Sequence, residues 1–163
     1  MMGRALLVIG LLATLILGVT AGLGYRLAGP TDESLRFHVL AALAASLLLV
    51  FSHCWILLYL IVVGRAIRTA LQENGLALPQ AAEVERLKGR SFPLLLTALA
   101  TAIATFATGG AAATGSLALL HHLLFYVTFL CQLAALWSER RVLTANQGLI
   151  AEISRRLAPA ESA

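Results

Sequence analysis

Charge is scarce in this sequence: 12% of its 163 residues are Asp, Glu, Lys or Arg, about half the ~25% of an average soluble domain. Hydrophobic residues make up 60%. A chain with so few charged groups has no means of covering its apolar side chains with a water-compatible surface. Lipid has to cover them, and the class expected is an all-α integral membrane protein. Cysteine occurs twice, at Cys54 and Cys131, both inside apolar runs. That excludes a disulfide framework and any zinc-ligand spacing; a free buried thiol behaves as a small hydrophobe. Missing too are a nucleophile triad, a phosphate loop, a zinc-helix signature and a dinucleotide fingerprint. No Asp, Glu, Lys or Arg falls in the middle of an apolar run, which speaks against pumps, channels and coupled transporters. Nothing lines up a base with an orienting carboxylate inside the membrane. An enzyme is not expected; electron transfer is the activity left open.

What is present is length. Four apolar runs reach the roughly 20 residues that a membrane-crossing helix needs: Ala5 to Gly24, Phe37 to Gly64, Phe92 to Gly110 and Leu117 to Trp137. Helix is the expected form because lipid offers the backbone no hydrogen-bond partner, and no alternating strands are evident. The first run ends in a small-residue segment resembling a signal-peptidase site, but it exceeds a usual signal core and is read as an uncleaved span. Basic residues set the orientation. Arg4, the segment 65–91 with Arg65, Arg68, Arg86, Lys88 and Arg90, and the tail with Arg140, Arg141, Arg155 and Arg156 fall on one side. The other side has Arg26 and Arg36, offset by Asp32 and Glu33. Both termini and the central loop are therefore expected in the cytoplasm, with the chain crossing a cell inner membrane. The formal charge of +4 is mostly topology, so no nucleic-acid partner is expected.

Outside the spans, 65–73 is expected to prolong the second helix to a stop at Asn74-Gly75. Pro79 opens a short helix through Arg90, and Ser91 caps the third span with Pro93 in its first turn. Residues 138–158 continue the fourth helix as an amphipathic tail with an apolar stripe of Val142, Leu149, Ile150, Ile153 and Leu157, ended by Pro159. That stripe is expected on the central segment or the membrane surface, ahead of a role as a partner's docking helix. Trp137 beside Arg140 and Arg141 is an inner-interface anchor.

Close helix contact in lipid needs small residues. Gly18 with Gly22 in the first span, and Thr97, Thr101, Thr105 and Gly109 in the third, form two such rows. The remaining polar groups are mainly the histidines His38, His53, His121 and His122. His38 and His53 share one side of the second span, with the small residues Ala42, Ala45 and Ser46 between them. A haem iron takes axial imidazoles, and small residues let the macrocycle approach a helix. His53 with His122 is the favoured pair; His38 with His121 or His122 is the register nearer the outer surface. Phe125, Tyr126 and Phe129 are placed to flank the ring, and Trp55 and Tyr59 to form a quinone wall. Metal chelation by His53 with Cys54, or by His121, His122 and Cys131, ranks lower, because adjacent helical residues diverge by about 100°. The leading expectation is an accessory or scaffold subunit of a larger membrane complex, possibly an energy-transducing one. The alternative is a membrane anchor that binds b-type haem or quinone through histidines of the second and fourth spans.

Overall fold

The computed structural model describes residues 2–25, 32–113 and 115–158. They form four α-helices: α1 (Met2–Tyr25), α2 (Asp32–Glu73), α3 (Pro79–Ala113) and α4 (Ala118–Leu157). All four are long and apolar enough to cross a membrane. At 1.5 Å per residue, the 24 residues of α1 extend about 36 Å, close to one bilayer, while the 42 of α2 extend about 63 Å. The surplus length of α2, α3 and α4 gathers at one end of the bundle, called here the extension end. The opposite, hairpin end carries the α1–α2 and α3–α4 links.

Helices adjacent in sequence pack most extensively, α3 on α4 and α1 on α2, so the bundle is two hairpins set against one another. α2 and α4 face each other diagonally with little direct contact. Each helix has apolar residues on its outer face as well. Val8, Leu11, Leu15 and Val19 of α1 are exposed, as are Leu119, Leu123 and Leu130 of α4. Helices that are hydrophobic all round are expected where lipid, not water, is the surrounding medium.

Three apolar clusters stack along the axis. Nearest the hairpin end are Ala13, Leu17, Ala45, Leu49 and Ala102. The middle cluster holds Leu6, Ile56, Leu60, Leu95, Ala98, Ala135, Val142 and Leu143. At the extension end, Leu78, Val84, Leu149 and Ile153 join the α2–α3 turn to the foot of α4. The tail stripe thus packs on the central segment; Leu157 alone of the five stripe residues is exposed.

Two local expectations need correction. Residues 65–73 continue α2 as expected, but Pro79 to Arg90 is not a separate helix: α3 runs unbroken from Pro79 through Pro93. Ser91 does not cap a span. Its hydroxyl donates to the Leu87 carbonyl (2.8 Å) and pairs with the Ser138 hydroxyl (2.7 Å). Pro93 offers no N–H to the Gly89 carbonyl four residues back, and Ser91 ties that stretch to α4. The helical stop at Gly75 is as read, with its φ of 62° in the left-handed region that glycine adopts freely. Arg26 and Pro159 lie outside the described residues.

The glycine and threonine rows divide. Gly18 and Gly22 face outward, with nothing within 4 Å of where a Cβ would stand. Thr97 is exposed. Thr101 turns its hydroxyl back to the Thr97 carbonyl at 2.9 Å, as helical threonines do. Thr105 and Gly109 do meet α4: the Thr105 hydroxyl pairs with that of Thr128 at 2.8 Å, and Gly109 lies under His121.

Candidate functional site

The four histidines occupy two levels of the bundle. His38, His121 and His122 line one cavity of about 590 Å³ at the hairpin end. Its wall is largely apolar, with contributions from Leu17, Ala42, Ser46, Ala102, Phe106 and Phe125. Volume and lining are those of a small-molecule pocket. Across α1 and α4, the Tyr25 and Tyr126 hydroxyls are 2.6 Å apart, and the Tyr25 ring lies 5.4 Å from that of His122.

Two of these rings are held alike. His38 Nδ1 lies 3.0 Å from the Thr20 carbonyl of α1, and His121 Nδ1 lies 3.0 Å from the Thr105 carbonyl of α3. A carbonyl only accepts, so each Nδ1 carries the proton and each Nε2 carries the lone pair. Neither Nε2 has a hydrogen-bond partner among the described residues. Glycines admit both rings. A Cβ at Gly24 would stand 2.9 Å from His38 Cε1, and one at Gly109 would stand 3.4 Å from His121 Cε1. An imidazole oriented by Nδ1–H on a carbonyl, with Nε2 bare, is the arrangement of metal-ligating histidines.

His53 sits in a different environment, between Leu49 and Ile56 in sequence and fully buried. Its Nδ1 is 2.7 Å from Glu139 Oε1, and its Nε2 is 2.7 Å from Gln132 Oε1. The Gln132 amide nitrogen donates to the Thr14 hydroxyl (3.2 Å), which donates to the Gly10 carbonyl (2.8 Å). Three helices therefore share one polar layer. Both ring nitrogens of His53 are engaged, leaving none for an iron. The structure does not bring His53 and His122 together: α2 and α4 run parallel, and His53 comes level with Gln132, about 15 Å further along α4 than His122. His38 shares its cavity with both His121 and His122, and His121 is the one held as His38 is.

Of the other candidates, Phe125 lines the cavity and stacks on Phe129 at 6.1 Å. Trp55 is exposed against Phe51, and Tyr59 packs on the middle apolar cluster, so neither faces the histidine cavity. Cys54 is exposed; half-buried Cys131 packs on the middle cluster. Trp137 carries the Arg141 guanidinium 4.6 Å above its ring, as suits an interface anchor.

The sequence reading missed Glu139. It lies just past the apolar run and beside two arginines, where a carboxylate reads as a solvated neighbour. In the structure it is fully buried against His53, so a base does meet an orienting carboxylate inside the bundle. A signal was available. Gln132, Glu139 and Asn146 recur every seven residues, alternating with Thr128, Ala135, Val142 and Leu149, and all seven are buried. That is the seam of a helix packed at 3.5 residues per turn, with a polar group in every heptad.

Set against known proteins, the chain matches no family model, no curated protein and no solved structure.

Proposed function

We propose that this chain is a haem-binding membrane anchor, with a b-type haem held at the hairpin end between α2 and α4 by His38 and His121. The observation that carries it is the shared setting of the two imidazoles: each Nδ1 on a backbone carbonyl, each Nε2 unpartnered among the described residues, both rings in one apolar cavity. The diagonal relation of α2 and α4 leaves the width of the bundle between them. The small residues Ala42, Ser46 and Ala102 make room for a flat macrocycle, and Phe125 offers it an aromatic face. Bound there, haem supplies one-electron transfer; its potential depends on axial ligands and on the apolar shell. A bacterial inner membrane, with both chain ends and the extension end on the cytoplasmic side, fits the basic residues gathered at that end.

The test is an optical spectrum of protein made with haem available and purified in mild detergent. A Soret band that His38→Ala and His121→Ala each abolish, and that His53→Gln leaves intact, supports the assignment. A colourless, iron-free preparation of folded protein overturns it. Binding of a quinone without haem would transfer the cavity to the other ligand class.

A second reading, an accessory subunit of a larger membrane complex, is favoured by one observation. The Gly18–Gly22 face of α1 packs on nothing within the fold, and such faces let another helix approach closely in lipid. Blue-native electrophoresis from gently solubilised membranes tests it; migration as a 17.3 kDa monomer in its detergent micelle counts against it.

A further inference from the structure

We propose that His53 and Glu139 form a proton-binding site buried between the haem-sized cavity and the extension end. It takes up one proton per chain. This does not depend on what the hairpin-end cavity binds.

The direction of every hydrogen bond in the layer follows from its end. The Thr14 hydroxyl has one proton, and it goes to the Gly10 carbonyl at 2.8 Å. Thr14 Oγ1 is then an acceptor, and the group facing it at 3.2 Å must be the Gln132 amide N–H. That turns Gln132 Oε1, an acceptor only, toward His53 Nε2 at 2.7 Å, so Nε2 carries a proton. What remains is the 2.7 Å contact between His53 Nδ1 and Glu139 Oε1. A hydrogen bond there requires one more proton, on either atom. The pair is then imidazolium with carboxylate or imidazole with carboxylic acid, neutral in sum both ways. Without that proton, two lone pairs oppose each other and one negative charge is left in a dry interior, which is costly. The proton belongs to the pair, not to either residue.

The other carboxylate oxygen is left bare. Glu139 Oε2 and Ser52 Oγ are fully buried and have no hydrogen-bond partner. Both face Gly10: a Cβ there would stand 3.2 Å from Ser52 Oγ and 3.8 Å from Glu139 Oε2. The same Cβ would meet Leu136 Cδ2 at 3.0 Å, so the helices close tightly here and both oxygens stay dry beside the pair. The next polar residue on the α4 seam, one heptad toward the extension end, is Asn146. It is buried, and both its side-chain Nδ2 and Oδ1 are unpartnered, which continues the polar line in the direction of the charged segments. Among the described residues, no other titratable side chain bonds to the pair. α1 presents Gly10 and Thr14, and α2 presents Ser52. α3 approaches through Ser91, bonded to Ser138, and its Lys88 lies on Gly64 and pairs with Glu85 at 2.9 Å. On α4, Arg140 and Arg141 are exposed. Uptake is a simple balance: imidazole and carboxylate, net minus one, accept one proton and become the neutral hydrogen-bonded pair.

The experiment is magnetic resonance of wild-type protein in lipid nanodiscs, with the glutamate carboxyl carbons and histidine ring nitrogens labelled. The expected result is one carboxyl signal and one imidazole signal that change together in a single pH step. Glu139→Gln removes both responses, and Glu152→Gln removes neither. Signals of the pair that stay fixed from about pH 4 to about 10, a range spanning ordinary carboxyl and imidazole titration, mark a static structural bond and overturn the proposal. Should Glu139→Gln not fold, His53→Gln supplies the second arm. It removes the imidazole signal and moves the pH step of the Glu139 carboxyl. A carboxyl step left where it was overturns a proton shared by the pair.

Discussion

His38 and His121 at the hairpin end differ from His53 in one respect that decides their chemistry. The first two have one nitrogen satisfied by backbone and one left bare in a cavity; the third has both nitrogens satisfied by side chains in a closed layer. A half-satisfied imidazole beside open volume is arranged to take a ligand. A fully satisfied one in a dry core is arranged to hold the helices in register, and to hold a proton. The residue type is the same, and its neighbours decide which of the two it does.

The largest expected effect separates these roles by stability. Glu139→Ala leaves the His53 Nδ1 side unanswered in the core and is expected to cost about 3–5 kcal/mol, read as a lowered unfolding midpoint in detergent or a failure to insert. His38→Ala removes one interhelical bond to a backbone carbonyl and is expected to cost no more than about 1 kcal/mol, while removing all haem absorbance. Equal losses of stability from the two variants would erase the distinction drawn here.

Glycine substitutions sharpen it further. Gly10→Ala places a methyl group 3.0 Å from Leu136 Cδ2 and 3.2 Å from Ser52 Oγ, and this overpacking is expected to cost about 1–3 kcal/mol. Gly18→Ala meets nothing within the fold and is expected to be neutral or to stabilise α1 by up to about 1 kcal/mol, as thermal melts of the purified chain should show. If Gly18→Ala instead disperses a larger assembly on a native gel, the outer face of α1 is a contact surface.

The smallest effect lies at the extension end. Arg156 and then Arg155 hydrogen-bond to Glu152 and hold its carboxyl below the ordinary 4.5. A depressed carboxyl stabilises the fold fully above its unfolded value, and the contribution is lost as pH falls through the lower folded value. Helix content of the α4 tail by circular dichroism should therefore fall slightly in acid, and Glu152→Gln should remove that dependence. Both arginines are exposed and screened, so the change is small.

The four helices were legible because their cause is local. Twenty or more apolar residues in a row leave the backbone few options in lipid, and Asn74-Gly75 needs no partner to act as a stop. Ser91 and Pro93 were misread for the same reason: taken alone they signal a helix start, and the contact of Ser91 with Ser138 on α4 is not visible along one segment. The site was half legible. The cavity histidines stood out as polar residues in apolar runs, but the favoured partner of His53 was wrong by about three helical turns, since spacing along one helix does not set its register against another.

Composition and hydrophobic run length alone determined that this chain is helical and apolar enough for a membrane, because burial of apolar groups and self-satisfaction of the backbone are properties of each segment. Tertiary structure alone decided that Glu139 faces His53 and not water, and that His38 and His121 share a cavity. Those outcomes depend on the relative level and rotation of packed helices, which the small residues and the polar layer fix together across several elements.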